Sequence, residues 1–107
     1  MLAVRDHEAE GREARQLKQQ ALIDFATCAR DSGKLHLAQH LVDDLLRQRL
    51  DRGLLVDVLV LAASIWWRLG SLEGAHALIE RAAKRVDRTD QARLASVEHE
   101  WAKLVGR

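Results

Sequence analysis

Apolar residues recur along this chain at three- and four-residue intervals, the period of one helix face, in five consecutive stretches. The first, residues 8–31, sets Ala14, Leu17, Ala21, Leu22, Phe25, Ala26 and Ala29 on one side. Its opening half is charged and glutamine-rich, so residues 1–15 read as a polar extension that frays or projects. Ser32-Gly33 closes it, glycine being the usual helix terminator. The second stretch, 35–51, repeats the pattern with Leu35, Ala38, Leu41, Val42, Leu45 and Leu46. Arg47, Arg49 and Arg52 fall in its last turn or just past it, where the helix dipole favours cations, and Gly53 follows. In the third, 54–69, only Asp57 and Ser64 are polar between Leu54 and Trp67. A helix apolar nearly all round is either buried on several sides or spans a membrane. This run falls short of the roughly 20 apolar residues of a span and is broken by Asp57. It therefore reads as a central helix packed on both sides. The fourth stretch, 72–87, follows Gly70, takes Ser71 as its cap, and carries Leu72, Ala75, Leu78, Ile79, Ala82 and Ala83. Thr89 or Asp90 caps the fifth. It holds Leu94, Val97, Trp101, Leu104 and Val105 on one face and Arg93, Glu98, Glu100 and Lys103 on the other, the pattern of an amphipathic lid.

The turn chemistry agrees. The chain has no proline and six glycines, and a β-rich domain of 107 residues draws heavily on both. The predicted fold class is all-α, one domain of about five helices. The 17 basic and 16 acidic residues nearly cancel to a net +1, against the strong basic excess of a dedicated nucleic-acid binder. Cys28 is the single cysteine, so no internal disulfide forms, and it sits among apolar helix residues as an inert core thiol would. Met1-Leu2-Ala3-Val4 runs straight into Arg5, Asp6, His7 and Glu8 without the apolar stretch of a signal peptide, which points to the cytoplasm.

An internal repeat is anchored on Gly33 and Gly70. Ala38 and Ala75 follow the glycines at the same distance, as do Val42 and Ile79. On the other side, Leu22, Phe25, Ala26 and Ala29 match Leu59, Ala62, Ala63 and Trp66. Small residues at Ala26, Ala38, Ala63 and Ala75 let two antiparallel helices approach closely where they cross. These residues resemble the tetratricopeptide-repeat (TPR) family. Trp66-Trp67-Arg68-Leu69-Gly70-Ser71-Leu72-Glu73-Gly74-Ala75 is similar to the end of its first helix, its turn, and the start of its second. The second repeat offers Leu59, Ala62, Ala63, Trp66, Ala75, Ile79, Ala82 and Asp87 at the family's signature places. The first offers Leu22, Phe25, Ala26, Ala29, Ala38, Val42 and Leu45. The departures are a missing terminal proline in both repeats and an offset of 37 residues between Gly33 and Gly70, against about 34 in the family.

The resemblance implies TPR-like antiparallel hairpins over residues 16–53 and 54–88, followed by a C-terminal capping helix over 89–107. It also implies a concave groove lined from the first helix of each hairpin. By register those residues are Gln20, Ile23, Thr27 and Arg30, then Asp57, Val60, Ser64 and Trp67, with Arg68 at the turn and His99 on the cap. Tryptophan and arginine are favoured interface anchors, and such a groove suits an extended or helical peptide of another protein. The expected function is thus a non-catalytic protein–protein interaction module, an adaptor or small chaperone-like subunit. The alternative is a self-assembling homodimer hiding surplus apolar surface of the third helix. A nucleic-acid role for Arg47, Arg49, Arg52, Arg81, Lys84, Arg85 and Arg88 ranks last, since aspartates interleave them and no aromatic lies near.

Chemistry finds little footing. His36, His40, Asp43 and Asp44 share one face of the second helix, but a solvated polar stripe accounts for them without zinc. Neither GxxxxGK[ST] nor GxGxxG is present, and no serine stands in a nucleophile-elbow context. No enzyme activity, metal or cofactor is expected.

Overall fold

The computed structural model describes the backbone of residues 2–106 and the side chains of residues 11–106. Five helices follow in order: α1 (Leu2–Asp31), α2 (Leu35–Leu46), α3 (Arg52–Arg68), α4 (Leu72–Arg85) and α5 (Gln91–Val105). The all-α expectation holds. At 1.5 Å per residue α1 is roughly 45 Å long, which accounts for principal extents of 56 × 31 × 19 Å. The polar extension expected over 1–15 continues as helix from Leu2.

Side-chain contacts fix the relative directions. Gln19 of α1 meets Gln48 and Arg49 just past α2, so α1 and α2 run antiparallel. Arg52 at the start of α3 bonds the Arg85 carbonyl at the end of α4, and Trp66 lies against Gly74, so that pair is antiparallel too. His76 stacks near Trp101, which sets α4 against α5 in the same sense. Contacts from Gln16 to Asp51, Arg30 to Ser64 and Arg93 to Asp57 run α1, α3 and α5 parallel. Helix α3 packs on all four others, while the backbones of α2 and α4 stay apart. Most of its apolar residues are buried, while Leu55, Val60, Trp66 and Trp67 are half-buried. Among the described residues the large exposed ones, Leu17, Phe25, Leu37, Leu72 and Val105, lie on other helices.

The two glycine turns share one geometry. Gly33 and Gly70 take φ of 82° and 92°, where a side chain would be strained. Each is followed by the same backbone bond reaching five residues back, Lys34 N–H to Ala29 O (2.8 Å) and Ser71 N–H to Trp66 O (2.9 Å). Ala38 with Ala75, Val42 with Ile79, and Leu45 with Ala82 are all fully buried. The close crossing has a price for any larger residue. Ala75→Leu is expected to destabilise by about 1–3 kcal/mol through overpacking; chemical denaturation measures it, and an unchanged midpoint would discard this register.

Phe25 breaks the equivalence. Its partner in the repeat, Ala62, is buried, whereas Phe25 is 56% exposed. Ala62 joins the cluster that α1, α2 and α3 form together, whereas no described element packs over Phe25. Leu17 is exposed in the same way, and Gln19, in the polar half of α1, is 2% exposed. Cys28, read as core, is exposed beside Phe25 and Leu37.

Helix α2 stops at Leu46, five residues before its expected end. Nothing in Arg47-Gln48-Arg49-Leu50 forbids a helix, so the cause is tertiary. The Gln19 amide donates to Gln48 Oε1 and to the Arg49 carbonyl, both at 3.1 Å, and Asp51 caps α3 by accepting the Leu54 N–H at 2.8 Å. Gly53, expected between helices, lies in the first turn of α3.

Candidate functional site

Two surfaces compete as the working face, the seam between α1 and α3 and the groove between α4 and α5. The sequence points to the first. There Arg30 reaches across to Ser64, its Nη1 donating to Ser64 Oγ at 2.8 Å, while that hydroxyl donates to the Leu61 carbonyl at 2.7 Å. Arg68 Nη1 donates to the Arg30 carbonyl at 3.2 Å, satisfying an acceptor at the end of α1. Asp31 lies between the two guanidiniums, 3.0 Å from Arg30 Nε and 3.7 Å from Arg68 Nη1, and its carboxyl is held below its ordinary range chiefly by the Arg30 hydrogen bond. Three of the expected residues, Arg30, Ser64 and Arg68, are thus brought together, but to bond one another.

The remaining expected residues divide. Ile23 and Ser64 are buried at 7% and 5% exposure, which closes them to a partner. Ile23 belongs to the α1–α2–α3 core because the helix turns it inward beside Ala26. Thr27 is half-buried, its hydroxyl donating to the Ile23 carbonyl at 2.8 Å. Val60 packs on the α3–α4–α5 core, Trp67 is half-buried, and Gln20 and His99 are exposed. Gln20 lies beside Leu17 and Leu54 in a shallow depression, away from the Arg30 cluster. Around Arg30, Ser64 and Arg68 the α1–α3 seam is closed by its own hydrogen bonds, whereas beside Gln20 it opens into that depression.

Asp57 is also engaged. Arg93, expected on the solvent face of α5, turns inward and grips both Asp57 oxygens at 3.0 Å. Its Nη1 donates to Asp90 Oδ2 at 2.8 Å, while Asp90 Oδ1 caps α5 by accepting the Arg93 N–H. The Asp57 and Asp90 carboxylates raise the Arg93 pKa, and Asp90 is lowered in turn, mainly by its bond to the Arg93 side chain. One guanidinium therefore locks α5 onto the start of α3. The signal for this lay in Gly53, where an added Cβ would stand 2.8 Å from the Arg93 guanidinium carbon. A double-mutant cycle exposes the coupling. Gly53→Ala in an Arg93→Ala background should stabilise by about 0.5–1 kcal/mol through helix propensity, whereas in the parent chain that gain disappears because Arg93 is displaced. Equal effects in both backgrounds would deny the close approach.

The groove between α4 and α5 is the surface that sequence reasoning missed. It encloses about 300 Å³, and Ala83, Val86, Leu94, Val97 and Trp101 give it an apolar lining. Arg88 and Glu98 supply the charged part of its lining. The Trp101 ring rests 4.9 Å from His76, tilted by 42°, which holds one wall. The periodicity already carried Leu94, Val97 and Trp101, and what it lacked was a reason to leave that face partly bare. The reason is positional: among the described residues α5 packs only against α3 and α4, which leaves part of its apolar face bare.

No helix among the described residues is long and apolar enough to cross a membrane. Comparison with protein-family models, with curated proteins and with solved structures gives no match for this chain.

Proposed function

We propose that the chain is a non-catalytic interaction module, a TPR-like adaptor or small chaperone-like subunit, that holds a helix of a partner protein between α4 and α5. The observation carrying this reading is the apolar groove at the place where a sixth helix would complete a third hairpin. Its apolar lining between two helices suits the apolar stripe of an amphipathic helix, a recurrent mode of recognition. Exposed Glu98 in the lining favours a lysine or arginine on that helix, and exposed Arg88 favours an acid. The twin Gly33 and Gly70 turns and the fully buried Ala38 and Ala75 support the TPR-like character of the scaffold.

Ala83 and Ala102 line the groove and are exposed, so both accept substitution without disturbing the core. Ala83→Glu and Ala102→Glu together should weaken the captured partner at least tenfold, about 1.4 kcal/mol, and leave the melting temperature within a degree or two. Retained affinity in this variant, read by titration calorimetry, removes the groove from the account.

A second reading is self-association, favoured by the exposed Phe25 and Leu37 on the outer face of the first hairpin. Cys28 lies between them and makes the test direct. Sedimentation showing a dimer, with rapid Cys28–Cys28 cross-linking on mild oxidation, supports that reading. A monomer across the concentration range excludes it.

A further inference from the structure

The far flank of α1 carries an unassigned site. Arg12, Arg15, Gln16 and Gln19 recur at three- and four-residue spacing and so share one helix face. That face looks onto the α2–α3 connection, where Arg12, Arg15 and Arg49 line one depression of about 320 Å³. The third arginine is not on a loose loop. Gln19, 2% exposed, donates to the Arg49 carbonyl and to Gln48 Oε1, pinning the backbone that bears it. Asp51 is the one acid lining the depression, and both its oxygens are spent. Oδ1 accepts the Leu54 N–H at 2.8 Å and Oδ2 accepts the Gln16 amide at 3.1 Å. Arg47 and Arg52, close in sequence, are used elsewhere, on Asp44 and on the Arg85 carbonyl. Among the described residues no ion pair joins Arg12, Arg15 or Arg49 to a carboxylate.

We infer that this depression binds a phosphate monoester. A guanidinium offers five N–H donors in a fixed fork and no acceptor. A carboxylate has two oxygens and satisfies one such fork. Three arginines lining one hollow, none of them paired with a carboxylate among the described residues, favour a dianion with three terminal oxygens, which is what a phosphate monoester presents. Arg12, Arg15 and Arg49 supply the charge, and the pinned Arg49 backbone fixes the third corner of the site. The phosphate belongs either to a phosphorylated side chain of a partner or to a small metabolite, and the site chemistry is the same for both.

The test uses inorganic phosphate, a phosphoserine peptide, its unphosphorylated form, and acetate, all at one ionic strength. Phosphate and the phosphopeptide should bind with millimolar or better affinity and raise the melting temperature, while acetate and the unphosphorylated peptide do neither. Arg15→Gln and Arg49→Gln should each weaken phosphate binding at least fivefold with an unchanged circular dichroism spectrum, and Arg47→Gln should leave it intact. Phosphopeptide binding more than tenfold tighter than phosphate assigns the site to a protein partner, and equal binding assigns it to a small molecule. Acetate binding as well as phosphate, or Arg47→Gln weakening binding as much as Arg15→Gln, overturns the inference in favour of diffuse basic charge. A duplex of nucleic acid that binds with the same affinity in the Arg15→Gln and Arg49→Gln variants and displaces phosphate also overturns it.

Discussion

A chain ending at Arg88 should aggregate where the full chain stays dispersed. Residues 89–107 carry Leu94, Val97, Trp101 and Leu104, which pack on Val56, Leu59, Ala63 and Ile79. Full burial of such a side chain contributes about 1.5–3 kcal/mol. Three of these four are only partly buried, so their joint contribution is on the order of 5 kcal/mol. That is comparable to the whole stability of a small domain, about 5–15 kcal/mol. The truncation also removes Arg93 and leaves Asp57, half-buried, without its partner. Light scattering and size-exclusion chromatography read the outcome. A truncated chain that remains monodisperse with an unchanged melting temperature would make α5 an appendage.

The second large effect separates two residues that the hydrophobic pattern treats alike. Leu59 is fully buried between α3, α4 and α5, and Leu59→Ala should cost about 2–5 kcal/mol, combining lost transfer energy with a cavity. Phe25→Ala removes a larger side chain, yet Phe25 stands at the open end of the array and the change should stay within about 0.5 kcal/mol. Urea denaturation of the two variants decides it. A Phe25→Ala cost matching that of Leu59→Ala would mean that Phe25 is covered in solution, and the self-association reading would gain.

The same contrast shows what could be read from the sequence. All five helices, the Gly33 and Gly70 turns, and the Ser71 and Asp90 caps were legible because they rest on local spacing and local hydrogen bonds. The small-residue crossings at Ala38 and Ala75 were legible because both copies of the repeat carry them. What failed depended on neighbours distant in sequence. Gln19 belongs to the polar half of α1, and nothing local buries it until Gln48 and the Arg49 carbonyl are placed beside it. The end of α2 moves for the same reason, and Arg93 changes faces because Asp57 and the bare backbone of Gly53 receive it. For the site, the repeat register named Arg30, Ser64 and Arg68 correctly as neighbours, but could not show that they consume one another's hydrogen-bonding capacity. Nor could it show that α5 packs, among the described residues, only against α3 and α4, which leaves the α4–α5 groove open.

The central claim is that this groove receives a helix of another protein. The most direct measurement places a photo-crosslinking side chain at Ala102, which lines the groove, and at exposed His36 on α2 as a control, in the native host. The account predicts one adduct from Ala102 and none from His36. Its cross-linked segment should be helical, with an apolar stripe and a lysine or arginine positioned for Glu98, and Glu98→Lys should abolish it. Equal labelling from both positions, or an adduct consisting of a second copy of this chain, would contradict the account.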